Sequence, residues 1–240
     1  MILYVRSLMN QNLFMTKPVN KKIVSTNLKY ARSLMALSLF LLLSAFDSGE
    51  KYLTNIAPYQ RDSYFKNKVY SEHNWQSFYK LKEANEPIDA NNYDMHLLSA
   101  AVFFATNKLR EEKGAKAFQF SAELRDAAAV HTWQMIQKNF FDHFNKTAPS
   151  LYSPDKRIHL FKPNSNAYAE NLDLNHIIVS ESTSYIQLGE KIVKELYNSP
   201  PHRTNMMNKL YNYIGCSAIF EAHDNKTGAR IVKATQDFSS

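Results

Sequence analysis

The densest chemical signal in this 240-residue sequence is the run Ser-Pro-Pro-His-Arg-Thr-Asn-Met-Met at 199–207. Ser199 precedes two prolines, is pushed out of the helical region and can cap a helix; proline is tolerated in a first turn, where its missing N–H has no intrahelical partner. The run therefore predicts a helix starting at Pro200 with His202 in its first turn. The positive end of the helix dipole disfavours imidazolium there, leaving a neutral ring available as hydrogen-bond acceptor or metal ligand. The competing reading is that Pro200 and Pro201 only end the preceding helix and His202 is an exposed turn residue.

Two further histidines and one carboxylate bear on the same question. His131 falls in the series Leu124, Ala128, His131, Met135, one face of a helix expected over 121–138 with Ser121 as its cap, and a lone histidine on such a stripe reads as a satisfied core residue. His143, in Phe-Phe-Asp-His-Phe at 140–144, follows that helix rather than sitting in its stripe; it either points into a cleft or lies exposed in a loop. Glu170, in Ala-Glu-Asn-Leu at 169–172, is the carboxylate of a short extended stretch.

The elements that must position these residues are legible in patches. Leu97, Leu98, Ala101, Val102, Phe104, Ala105 and Leu109 recur at helical spacing, and Gly114 is a plausible stop. Another amphipathic helix is expected over 184–197 through Ile186, Ile192, Val193 and Leu196. Residues 213–222 and 229–238 are rich in β-formers, with a hairpin turn at 224–228 between them. The segment after Phe144, rich in Pro, Ser, Asn and Lys, reads as a loop. Helices first, then a terminal antiparallel hairpin and another strand near Glu170, predict an α+β layered domain over 93–240. Residues 47–92 read as a linker or N-terminal extension draped over it, with one short helix through Trp75, Phe78, Tyr79 and Leu81.

A chain 45% hydrophobic and 21% charged can fold as one good-sized globular domain with additions. Its net charge of +7 does not indicate a nucleic-acid partner. Arg6, Lys17, Lys21, Lys22, Lys29 and Arg32 precede every acidic residue, and without them the net charge is only +1. A protein that neutralises phosphates would carry its excess on the folded domain. The six cations lie ahead of residues 33–46, an uncharged and mostly apolar run of 14, shorter than the roughly 20 residues of a membrane span. Residues 1–46 are thus expected to be a signal peptide, cleaved near Leu43 to Ala45, for export to the cell envelope, periplasm or medium. The alternative is an uncleaved anchor, with membrane contact confined to 33–46. Cys216 is the single cysteine, so no intramolecular disulfide forms, and its place in a probable strand suits a small buried thiol.

Taken in order, Asn107 and Arg110, the stripe Leu124 to Met135, Phe141 and His143, Ala-Glu-Asn-Leu at 169–172, the 199–207 run, Tyr-Ile-Gly-Cys at 213–216 and Ala-Thr-Gln-Asp-Phe at 234–238 resemble the CAP superfamily. This superfamily groups cysteine-rich secretory proteins, venom antigens and pathogenesis-related proteins, also called SCP domains. The resemblance covers about residues 97–238, and the Ser-Pro-x-His-Arg-x-Asn form without disulfides looks like the bacterial branch. It implies a three-layer α-β-α sandwich with a central antiparallel sheet, and a cleft bearing two histidines and two glutamates. By motif, His143, Glu170 and His202 match three of those four; Ser199 stands at the place of the second glutamate and Leu196 at that of a usual tryptophan. Asn171 and Arg203 would lie beside the cleft as supporting groups.

Two imidazoles and a carboxylate can hold a divalent cation such as zinc with a position left for water, although separations of 27 and 32 residues lack the helical His-Glu-x-x-His spacing. Three readings follow. The favoured one is a non-enzymatic binding or interaction module of the envelope that needs no cofactor and whose cleft takes a divalent cation, a small apolar ligand or an envelope component. The second is a metal-assisted hydrolase using Glu170, His143 and His202. The third is a structural domain in which the histidines and Glu170 only fix the cleft floor.

Overall fold

The computed structural model describes residues 49–162, 164–178, 182–221 and 229–240. The expected signal or anchor at 1–46 and the turn at 224–228 lie outside them. Five main helices are α1 (Met95–Glu112), α2 (Ala122–Gln137), α3 (Pro154–Phe161), α4 (Tyr185–Asn198) and α5 (Pro200–Met207). The strands are β1 (Gln119–Phe120), β2 (Tyr168–Ile178), β3 (Tyr213–Phe220) and β4 (Ala229–Ser239).

The helix ends follow local chemistry. Asp94 accepts hydrogen bonds from the N–H groups of His96 and Leu97 at the start of α1, and Gly114, just past its end, adopts a φ of 74° that favours glycine. Ser121 accepts from the Leu124 N–H at the start of α2. Ser184 and Gln187 form a reciprocal capping box on α4, each side chain bonded to the other's backbone N–H. Ser184→Ala is expected to cost about 1 kcal/mol in urea unfolding; an unchanged midpoint would mean that packing alone fixes the start of α4.

The sheet order is β1-β3-β4-β2. β4 pairs antiparallel with both β3 and β2, while the two-residue β1 lies parallel to β3, so the sheet is mixed rather than wholly antiparallel as expected. Alternation along β3 shows helices on both faces. Ile214, Cys216, Ala218 and Phe220 join the apolar cluster of α1 and α4, whereas Tyr213 and Ile219 pack with residues of α2 and α3. Cys216 is buried and free.

Residues 49–92 are built into the same compact unit, which runs Ser48–Ser240. They form a series of single helical turns, and Ile56, Tyr59, Val69, Phe78 and Ala84 are buried. No helix among the described residues is long and apolar enough to cross a membrane.

Candidate functional site

Glu170 sits near the start of β2, and its cross-strand partner on β4 is Asp237. Directly opposed residues share a face of the sheet. Here the shared face is the α2 side, where Thr132 of α2 also donates to Thr235 of β4 at 2.8 Å. The Glu170 side chain is buried, and both of its oxygens are engaged. Oε1 accepts from His143 Nδ1 at 2.8 Å, and Oε2 accepts from Arg157 Nη2 at 2.7 Å.

Arg157 comes from α3, inside a segment expected to be a loop. It is fully buried; Nη1 donates to the carbonyls of Leu151 and Tyr152, and Nη2 also donates to the His143 carbonyl at 2.9 Å. One guanidinium therefore fixes both the backbone of His143 and the carboxylate that orients its ring. His131 stands on the other side of Glu170, its Nε2 3.8 Å from Oε1 and 3.0 Å from the Asp142 carbonyl, to which it donates. His131 is fully buried, as the core reading has it, but its Nδ1 has no hydrogen-bond partner among the described residues and its neighbour is Glu170.

Electrostatics follow from this arrangement. Burial pushes the Glu170 carboxyl up, but His131, the His143 hydrogen bond and Arg157 outweigh it and hold Glu170 below the ordinary carboxylate range. Burial lowers His131 to about 4, so that ring is neutral near pH 7 and the full countercharge on Glu170 comes from Arg157. Asp237 behaves oppositely. Among the described residues no donor reaches either of its oxygens, and burial together with the adjacent Glu170 charge raises it well above its usual value.

His202 is in the third position of α5, which starts at Pro200 as expected, and it is half-buried. Burial first, and the nearby His143 second, lower its pKa. Asn171 ties α5 to the sheet: its Nδ2 donates to the His202 carbonyl at 3.1 Å and to Gln236 Oε1, while its Oδ1 accepts from Asn205 Nδ2 at 2.8 Å. Gln236 in turn donates to Thr106 of α1. A run of amides therefore crosses from α1 through β4 and β2 to α5.

Hydrogen bonds join His143 to Glu170 and Asn171 to the His202 carbonyl, and Asn205 Nδ2 also reaches the Glu170 carbonyl at 3.5 Å. Arg203 instead turns to α4, where its Nη1 donates to the Tyr197 carbonyl at 3.2 Å and its guanidinium lies over the Tyr197 ring. Ser199 occupies the N-cap position of α5 but its side chain makes no capping hydrogen bond. Sequence reasoning does not single out Arg157, Asn205 or Asp237 as site residues. Ser153-Pro154-Asp155 is a helix-start pattern that could have revealed α3, and Asn205 and Asp237 both lie inside motif strings.

The expected cation site does not fit this geometry. Among the described residues no three His, Cys, Asp or Glu side chains stand where they could hold a metal ion. Of the expected ligands His143, His202 and Glu170, the carboxylate already has its oxygens committed to His143 and Arg157. Arg157, Glu170 and His143 form a hydrogen-bonded chain that ends on an exposed ring: the His143 side chain is 41% exposed, and its Nε2 makes no hydrogen bond among the described residues. Phe141, Phe144 and Tyr152 are exposed on the segment around it, with the rings of Phe144 and Tyr152 5.3 Å apart.

Comparison with known proteins adds a family match. The model of the cysteine-rich secretory protein family (CAP) matches residues 103–238. Over 110 residues the chain is 30% identical to the uncharacterised protein YkwD of Bacillus subtilis, an alignment covering 46% of this chain and 38% of that relative. The chain thus spans less than half the length of this relative. Among solved structures, an extracellular protein containing an SCP domain from Bacillus anthracis is 19% identical with a TM-score of 0.45, covering 64% of this chain and 44% of that one. An outer surface protein of Borrelia burgdorferi is 15% identical with a TM-score of 0.44, covering 60% of this chain and 93% of that one.

Proposed function

The chain belongs to the cysteine-rich secretory protein family, and on that premise we propose that it is an exported binding module of the cell envelope or extracellular space. Its ligand carries a hydrogen-bonding group for His143 and His202 and an apolar face for the aromatic side chains beside them. The observation that carries this reading is the buried Arg157–Glu170–His143 chain. An ionised Glu170 accepts the Nδ1 proton of His143, so Nε2 is the atom turned to the ligand. Phe141, Phe144 and Tyr152 supply exposed apolar area on the same segment, and the burial that lowers His202 favours a second uncharged ring. Export rests on the basic-then-apolar arrangement of residues 1–46.

The test compares small molecules co-purifying with wild type, His143→Ala and His202→Ala, by mass spectrometry of solvent extracts. Each substitution is expected to reduce the retained ligand about tenfold or more, the scale of one lost hydrogen bond in a partly desolvated site. Equal retention in all three would leave the histidines structural. The His143–Glu170 pair favours a second reading, in which His143 Nε2 deprotonates a water for hydrolysis. No serine, threonine or cysteine side chain hydrogen-bonds either histidine among the described residues, so water would be the nucleophile. Turnover of envelope fragments by wild type, abolished in His143→Ala, would select hydrolysis over binding.

A further inference from the structure

We propose that a groove at the C-terminal end of α1, sharing no lining residue with the histidine site, binds a phosphate group. The groove has a volume of about 240 Å³; its lining includes Arg110, Lys116, Lys209, Gln119 and Asn212, and no acidic residue. Arg110 is only 3% exposed yet forms no ion pair among the described residues. Its Nε donates to the Lys116 carbonyl at 2.8 Å, its Nη1 to the Met206 carbonyl, and its guanidinium lies 3.5 Å over the Phe118 ring. Nη2 has no partner among the described residues, and neither Lys116 nor Lys209 uses its ammonium in an ion pair or hydrogen bond there.

A buried charge is costly without an opposite one, and backbone carbonyls supply partial rather than full countercharge. Burial lowers Arg110 to about 10, and no carboxylate acts in the other direction. As a stitch between the turn after α1 and the end of α5, Arg110 would need only its Nε and Nη1. That role leaves unexplained the open Nη2 and the two lysines converging on the same groove. A tetrahedral oxyanion answers all three: it takes a charge-assisted bond from Nη2, two ammonium contacts and the amide donors of Gln119 and Asn212. Leu210, 70% exposed beside Lys209, would adjoin the remainder of the ligand if the phosphate is lipid-borne.

The experiment uses the full chain in two arms at constant ionic strength. Equilibrium dialysis measures inorganic phosphate, and co-sedimentation measures phosphatidylcholine vesicles with and without phosphatidylglycerol. Wild type is expected to bind in at least one arm, and Lys116→Ala/Lys209→Ala to weaken that binding about tenfold or more, the scale of charge-assisted contacts. The lysines are exposed, so this variant should fold; Arg110→Lys, which keeps charge but loses the fork, should weaken binding also. Phosphate binding without vesicle binding identifies a free anion, and binding only to phosphatidylglycerol vesicles a headgroup. No binding in either arm, or equal binding by the double variant, overturns the proposal.

Discussion

Replacing Arg157 by methionine is expected to remove about 3–5 kcal/mol of stability, because it strands a buried carboxylate. Arg157 contributes little apolar packing that methionine could not supply. What it contributes is the full countercharge on Glu170, together with the donors for the Leu151, Tyr152 and His143 carbonyls. Urea unfolding near pH 7 should show the loss, and Arg157→Met/Glu170→Gln should recover a large part of it, since the stranded charge is then gone. The pH dependence provides an internal check. Glu170 is depressed in the folded state, so its contribution is complete above its ordinary value of 4.5 and fades as pH falls through the depressed one. The gap between wild type and Arg157→Met should therefore narrow on acidification. Asp237 is raised, so its contribution has the opposite sense: full below 3.8 and lost as pH climbs through its folded value. A variant within about 1 kcal/mol of wild type at neutral pH would mean that Glu170 is not held as a charge.

Gly215→Ala is expected to cost at least about 3 kcal/mol, the upper end of the usual penalty for overpacking. A methyl group at this position of β3 would lie 2.0 Å from the Arg125 nitrogen and 2.3 Å from the Leu124 carbonyl carbon. Both are backbone atoms of α2, so no side chain can rotate to make room; the helix itself would have to lift off the sheet. α2 carries His131 and the turn leading to His143, so the site should loosen along with the fold. Thermal unfolding of the purified variant measures the first effect, and ligand retention measures the second. A Tm shift of only a degree or two would contradict the close approach of β3 and α2.

The parts of this molecule that can be read from its sequence are those where one local cause suffices. Gly114 ends α1, Ser121 and Ser184 cap α2 and α4, Pro200 opens α5, and the β-formers of β3 mark a strand. Motif order singles out His143, Glu170 and His202 without fixing how they interact. What escapes depends on partners distant in sequence. α3 reads as loop because its short helix is half polar and lies in a segment rich in Pro, Ser, Asn and Lys, and Arg157 is buried only because Glu170 and three carbonyls meet it there. β2 runs for 11 residues although only a few around Glu170 look extended, since Asn171, Asp173 and Asn175 are buried polar groups rather than an apolar stripe. Asp237 becomes unusual only once β4 lies against Glu170. The interval 49–92 reads as a linker because its buried residues come one or two per turn, too few to show a period.

Among the described residues β2 lies at the edge of the sheet, with β4 as its only strand neighbour. Glu170 and Asn171 are adjacent in sequence and therefore project to opposite sides, one to the arginine and the histidines, the other to the amides that hold α5. Sliding β2 by a single residue would move Glu170 to the amide side, against Gln236 or Phe238 according to the direction, and Asn171 to the other side, against Thr235 or Asp237. The polar residues at the start of β2 thus help specify strand alignment: a slip would carry Glu170 away from Arg157 and His143, and Asn171 away from the His202 carbonyl.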